Sequence, residues 1–307
     1  MSNTPRLFPV YHHIAKCAGT YVLSWVQLLA WAYFVKQGVR EESGWKSERI
    51  RRMLITIKNK HVTLFYYTPD DMESQQTKLT RGDDNYTDIC KSKVVLEAVK
   101  SKSILPFSIS VDPEGLGYGY VEEFIEKLIR LAGFDHSYHY VVMRDPFDRN
   151  KSLYNYLSKQ SGAHEPTYNN IKEIKTLEGY LTSTHVEDGW LVRDLLNLTT
   201  SDTIRPQHIT AVDGYLKHFE IEDIDNVDEL IDRVYTNSFK IKRQDVYDIY
   251  DDQNLTKEDV EKNLYKNTTA KTCDITLDTF EESVQTCFND AVYWDRIIYD
   301  KYIKNKR

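Results

Sequence analysis

Cysteine is scarce in this chain, and its four residues are scattered. Cys17, Cys90, Cys273 and Cys287 form no CxxC pair, which excludes a disulfide-dense scaffold and the usual zinc ribbons. Glycine and proline number only 12 and 8 in 307 residues, too few for a collagen-like or low-complexity chain. Basic excess is also missing: 47 acidic face 40 basic side chains, a formal charge of -7. Proteins that live on nucleic acid usually carry the opposite sign, so no nucleic-acid partner is expected. Long hydrophobic runs are absent too. Tyr21 to Val35 is interrupted by Ser24 and Gln27 and is about 15 residues long, where a membrane span takes roughly 20. It reads as a buried helix. A signal peptide is not expected either, because His12, His13 and Lys16 stand where its apolar core would be. The expected setting is therefore cytoplasmic with reduced thiols, and the sequons at Asn85, Asn197, Asn254 and Asn267 are read as chance. No cluster with metal-ligand spacing is visible.

What remains is an ordinary folded composition, 41% apolar and 28% charged. Leu7 to Ile14 is a short apolar run, followed by a tight loop and a helix over Thr20 to Val35. Lys36 to Lys60 carries eight bases and three acids, read as a basic helix face or simply a solvated surface. Val62 to Tyr67, Ile104 to Val111 and Tyr138 to Met143 are predicted strands. Val94 to Val99, Tyr120 to Leu131 and a segment from Pro146 to about Ser158 are predicted helices. Further helices are expected at Asp188–Leu196, Asn226–Val234, Lys257–Leu264 and Phe280–Ile303. Thr68–Lys93 and Lys159–Thr176 read as polar loops. Strands separated by helices imply an α/β fold, a central mostly parallel sheet with helices on both faces. No linker divides the chain, so residues 1–307 are expected to form one domain.

Two segments carry chemistry. The first is His13-Ile14-Ala15-Lys16-Cys17-Ala18-Gly19-Thr20. A strand stops, small residues follow and a long helix begins, which aims successive backbone N–H groups at a bound anion. Lys16 adds charge and Thr20 a hydroxyl. The order is not that of a Walker loop, since the lysine precedes the glycine. The plainer alternative is an ordinary strand–helix turn. The second segment is Arg144-Asp145-Pro146-Phe147-Asp148-Arg149-Asn150-Lys151-Ser152. Arg144 leaves a buried strand, where a guanidinium can clamp a phosphate, and Ser152 lies about two turns into the next helix. The alternative is an Arg144–Asp145 contact that caps the sheet. Together the segments put anion-binding groups at two strand ends, as a nucleoside 3′,5′-bisphosphate would need.

The same residues resemble the carbohydrate sulfotransferases. His13 to Thr20 is similar to their 5′-phosphosulfate loop, His-Ile-Pro-Lys-Thr-x-Gly-Thr. Arg144-Asp145-Pro146 with Arg149 and Ser152 is similar to their 3′-phosphate motif. Weaker echoes are Arg205-Pro206-Gln207, the group Tyr215, Phe219 and Glu220, and Tyr299-Asp300. Ala15 and Cys17 depart from the usual proline and threonine, and Tyr21 from a small residue. The resemblance implies a P-loop-NTPase-like sulfotransferase fold and the donor 3′-phosphoadenosine 5′-phosphosulfate (PAPS), with PAP as product and no metal. It implies that Lys16, Cys17, Ala18, Gly19, Thr20 and Tyr21 hold the 5′ end, that Arg144 and Ser152 hold the 3′-phosphate, and that Lys16 is catalytic. His13 matches the motif histidine and is read as positioning the loop. The base stays open: Asp112 or Glu114, which follow a strand, with His61 as the rival. The resemblance implies sulfuryl transfer to an acceptor hydroxyl or amine; the expected acceptor is a sugar or small hydroxylated molecule, with the two polar loops as cleft walls. Two other classes remain, a nucleotide kinase-like phosphotransferase and a non-catalytic nucleotide- or sugar-binding relative.

Overall fold

The computed structural model describes residues 5–14, 16–38, 50–57, 60–69, 89–111, 118–159, 171, 173–186, 189–196, 198–199, 201–252, 260, 264 and 275–306. The elements are β1 (Leu7–His12), α1 (Gly19–Lys36), β2 (Ile50–Ile57), β3 (Lys60–Tyr67), β4 (Ile89–Lys91), α2 (Ser92–Lys100), β5 (Leu105–Val111), α3 (Tyr118–Leu131), β6 (His136–Met143) and α4 (Pro146–Lys159). They continue with α5 (Leu177–Leu181), α6 (Trp190–Leu196), α7 (Pro206–Leu216), β7 (Glu220–Asp223), α8 (Val227–Phe239), α9 (Arg243–Asp252), α10 (Glu282–Ala291) and α11 (Tyr293–Tyr302). Among the described residues no helix is long and apolar enough to cross a membrane.

Seven strands form one sheet in the order β4-β2-β3-β5-β1-β6-β7. Its pairs are parallel except β2–β3 and β3–β5. The expected α/β architecture with a mostly parallel sheet is therefore what forms. Alternation along the strands gives each face its own core. Phe8, Val10, Leu64 and Tyr66 face α2 and α3. Tyr11, Phe65, Tyr67, Tyr140 and Val142 face α1, α8 and α9. α1 is apolar nearly all round because it is buried on most sides, with Trp25 and Trp31 fully enclosed. Truncating either tryptophan to alanine costs about 3–5 kcal/mol by the usual cavity rule. α1 is tied to α8 by the Tyr21 hydroxyl, which donates to Asp228 at 2.7 Å. Arg243 of α9 bridges Asp228 and Asp232 at 2.6 and 3.0 Å.

Three expectations change. Ile50–Ile57 is a strand, not part of a basic helix; Met53, Ile55 and Ile57 are buried on one face while Arg51 and Arg52 are half-buried. The adjacent arginines hide the two-residue period there. Ile89–Lys91 is a strand within a stretch read as loop. Phe280–Ile303 is two helices that part at Val292, where φ is -106 and ψ is 17. The bend lets Val284 and Phe288 fill one core and Ile298 and Ile303 another. Most of the two polar loops and of the Lys257–Leu264 helix lies outside the described residues.

β1 sits between β5 and β6, and the three run parallel. His12 is level with Val111 of β5 and Val141 of β6. The segments that leave all three strands thus emerge at one edge of the sheet. Chain direction reverses its spatial path here, which is where open α/β sheets form a ligand crevice.

Candidate anion site at the end of β1 and β6

The β1 loop is held from both sides. His13 donates its backbone N–H to Val111 at 2.9 Å, and Cys17 donates to Ile14 at 3.2 Å. Lys16 and Ala18 take left-handed conformations, φ 65 and 60, which cost a non-glycine residue about 1–2 kcal/mol each. These two turns reverse the chain abruptly between strand and helix. Gly19 opens α1 with the His13 ring directly against it: a Cβ there would lie 1.8 Å from His13 Nε2. Ala18 caps α1 with no side-chain acceptor, and the first turn has no acidic residue. The positive end of the helix thus has neither a side-chain cap nor a first-turn carboxylate, which favours a nearby anion.

β6 brings the second set. Arg144 Nη1 donates to the Lys16 carbonyl at 3.4 Å, across 128 positions of sequence. Asp145 is occupied structurally: it accepts the Phe147 N–H at 2.8 Å at the start of α4 and pairs with Arg296. Arg149, Ser152 and Tyr156 then recur three and four apart, which puts them on one face of α4. Arg149 is buried with its guanidinium 3.5 Å from the Trp190 ring centroid. Ser152 is buried, and its hydroxyl has no hydrogen-bond partner among the described residues. Lys16 Nζ lies 3.7 Å from the Tyr156 ring centroid.

Charge is unbalanced at this spot. Neither Lys16 nor Arg144 has a carboxylate partner among the described residues. Burial lowers the Lys16 pKa, and repulsion from Arg144 lowers it further. A bound anion would relieve that repulsion. The Cys17 thiol is pushed up to about 11 by burial, against the pull of Arg149 and Arg144 and with Asp223 and Asp295 adding to the rise. It stays a neutral thiol at neutral pH. A small cavity adjoins it, whose lining includes Cys17, Arg144, Arg149, Trp190, Tyr299 and the carboxylate of Asp295.

No protein-family model, curated protein or solved structure matches this chain.

Of the residues singled out by sequence, Lys16, Cys17, Ala18, Gly19 and Arg144 stand together. Ser152 lies on the α4 face that carries Arg149 and Tyr156. Thr20 is exposed on the first turn of α1. The Tyr21 side chain points elsewhere: burial beside Asp228 pushes its phenol up to about 12, so only its backbone can serve the loop. Asp112 and Glu114 lie outside the described residues, although Val111, just before them, touches His13. His61 falls within β3, not before it, level with Thr56; its side chain is outside the described set. Because β3 is antiparallel to β5, that end of β3 reaches the same edge. Among the weaker echoes, Phe219 packs on His12 and His139 at 4.4 and 5.1 Å, and Tyr299 donates to Asp223. Tyr156, Trp190 and Arg296 were not singled out by sequence. Tyr156 could have been found from its seven-residue spacing to Arg149; Trp190 and Arg296 carry no local signal. Among the described residues no group of acidic, histidine or cysteine side chains could hold a metal ion.

Proposed function

We propose that this protein transfers the sulfuryl group of 3′-phosphoadenosine 5′-phosphosulfate to a hydroxyl of a sugar or small acceptor. One observation carries the reading: Lys16 and Arg144, from distant segments, lie side by side at neighbouring strand ends, and among the described residues neither has a carboxylate partner. The residues fit such a donor. The first-turn N–H groups of α1 and Lys16 suit its 5′ end, and Arg144 with the buried Ser152 hydroxyl suits its 3′-phosphate. The donor supplies an activated sulfuryl group on a 5′-phosphate.

Lys16 would hold positive charge against the bridging oxygen as its bond to sulfur breaks. The acceptor oxygen forms the new bond to sulfur, and its proton passes to a base. Asp112 and Glu114 are the proposed bases because they follow β5 in the sequence, with His61 of β3 as the rival. Fixed cations and helix N–H groups would stabilise the charge that spreads over the moving group in such an in-line transfer.

Thermal melting with adenosine 3′,5′-bisphosphate, adenosine 5′-monophosphate and ATP tests the donor. The bisphosphate should stabilise most, because a ligand that binds the folded state raises its stability with occupancy. Equal stabilisation by ATP points instead to a kinase-like site. Labelled donor with a panel of glycans and small alcohols then tests turnover; tight bisphosphate binding with no transfer would leave a non-catalytic relative.

A further inference from the structure

Lys16 is the proposed transfer lysine, and its ammonium packs on an aromatic ring from another element. It lies 3.7 Å from the centroid of the Tyr156 ring on α4, well within the reach of roughly 6 Å over which an aromatic face attracts a cation. Lys16 has no carboxylate partner among the described residues, and Arg144, whose guanidinium touches the Lys16 carbonyl, repels the same ammonium. Tyr156 itself is 41% exposed, so its ring is not a core element. It is presented on the face of α4 that also carries Arg149 and Ser152.

We infer that Tyr156 is the resting partner of Lys16: its ring holds the ammonium in the ligand-free protein and releases it when an anion enters the β1 loop. Tyr156 is a positioning residue, acting through Lys16. The inference rests on the donor reading above. Its physical basis is a competition. The ring offers a weak attraction at a partly exposed site, and a phosphate or phosphosulfate offers a stronger, charge-assisted one. The weaker partner therefore keeps the ammonium on α4 only until the stronger one arrives. Releasing it makes the charge available for transfer only when the donor is present. Removing the ring should tighten binding of the bisphosphate by about two- to fivefold, the factor that a partly exposed cation–π contact corresponds to.

Lysine-selective 13C labelling at Cε tests this directly, with the Lys16 signal assigned from Lys16→Arg. The full chain should show that signal shifted upfield by the ring when ligand-free, and returned to the ordinary position on saturation with adenosine 3′,5′-bisphosphate. Tyr156→Phe should keep the resting shift and Tyr156→Leu should lose it. Calorimetry should find the bisphosphate bound more tightly by Tyr156→Leu than by the original chain, with no such gain in a Lys16→Ala background. An unshifted resting signal overturns the contact. A shift that persists under saturating bisphosphate overturns the release. An equal gain in the Lys16→Ala background makes Tyr156 a structural residue and overturns its action through lysine. If calorimetry finds no bisphosphate binding to the original chain, the donor reading fails and the release fails with it, while a resting shift would still stand as evidence for the contact.

Discussion

The imidazole of His13 occupies the space that a side chain at Gly19 would need, since a Cβ there would come within 1.8 Å of Nε2. The two residues therefore work as a pair. Gly19 lies at the start of α1 and has no need of glycine for its backbone angle, so the nearest constraint is the histidine ring. Gly19→Ala is expected to destabilise the fold by about 1–3 kcal/mol through overpacking. Adding His13→Ala should recover most of that loss, giving clear coupling in a double-mutant cycle measured by denaturant unfolding. Simple additivity of the two changes would show that the ring is not what Gly19 accommodates.

Lys16→Ala should slow sulfuryl transfer more than it weakens donor binding. On the proposed mechanism the lysine would matter most as the bridging oxygen gains charge, and losing roughly 3 kcal/mol there means about a hundredfold in rate. The check is kcat and KM on the acceptor found by the panel, with melting temperature as a control for folding. A folded variant that turns over at the original rate removes Lys16 from the mechanism.

Arg144 and Ser152 are proposed to share the 3′-phosphate. Arg144→Ala should weaken adenosine 3′,5′-bisphosphate by about 1.5–3 kcal/mol, and Ser152→Ala by less, about 0.5–1.5 kcal/mol. The double variant should be non-additive. Adenosine 5′-monophosphate, which lacks the 3′-phosphate, should be nearly indifferent to Ser152→Ala. It should feel Arg144→Ala only modestly, through the Lys16 carbonyl that the guanidinium also touches. If the monophosphate loses as much as the bisphosphate in both variants, these residues only hold the strand–helix corner together.

A buried histidine pair predicts acid sensitivity. His12 Nε2 and His139 Nδ1 share a hydrogen bond of 2.9 Å, and both rings pack on Phe219. Burial lowers the His139 pKa to about 4, with repulsion from His218 second; burial and then His139 lower that of His12 well below its usual value. Between pH 6.5 and about 4 the unfolded chain therefore binds more protons than the folded one. The stability from keeping His139 neutral is complete above about pH 6.5. It is lost progressively as pH falls toward 4, on the order of 3 kcal/mol in all. Urea unfolding across that window should give a shallower slope for His139→Gln; an unchanged slope would assign the acid sensitivity to other groups.

The strand–loop–helix from Leu7 to Lys36 was readable from sequence because everything that makes it is local. A buried β-type run stops at His12, small residues permit the turn, and an apolar stretch must become a buried helix. The corner at Arg144 was readable for the same reason: a buried strand, then Asp145 and Pro146, which start a helix together. β2 was not, since Arg51 and Arg52 interrupt its alternation and only pairing with β3 makes it a strand. The identity of the candidate anion-binding residues was likewise a matter of local chemistry. Their environment was not. That Arg144 reaches the Lys16 carbonyl, that His13 closes over Gly19, that Lys16 rests on Tyr156 and that Arg149 rests on Trp190 all depend on the sheet order and on how α4 and α6 pack beside it. The sequence determined which groups could bind an anion, through local periodicity and turn chemistry. Only the tertiary structure decided which of them stand together and which are already engaged, because proximity between distant segments arises from packing and leaves no periodic trace in the chain.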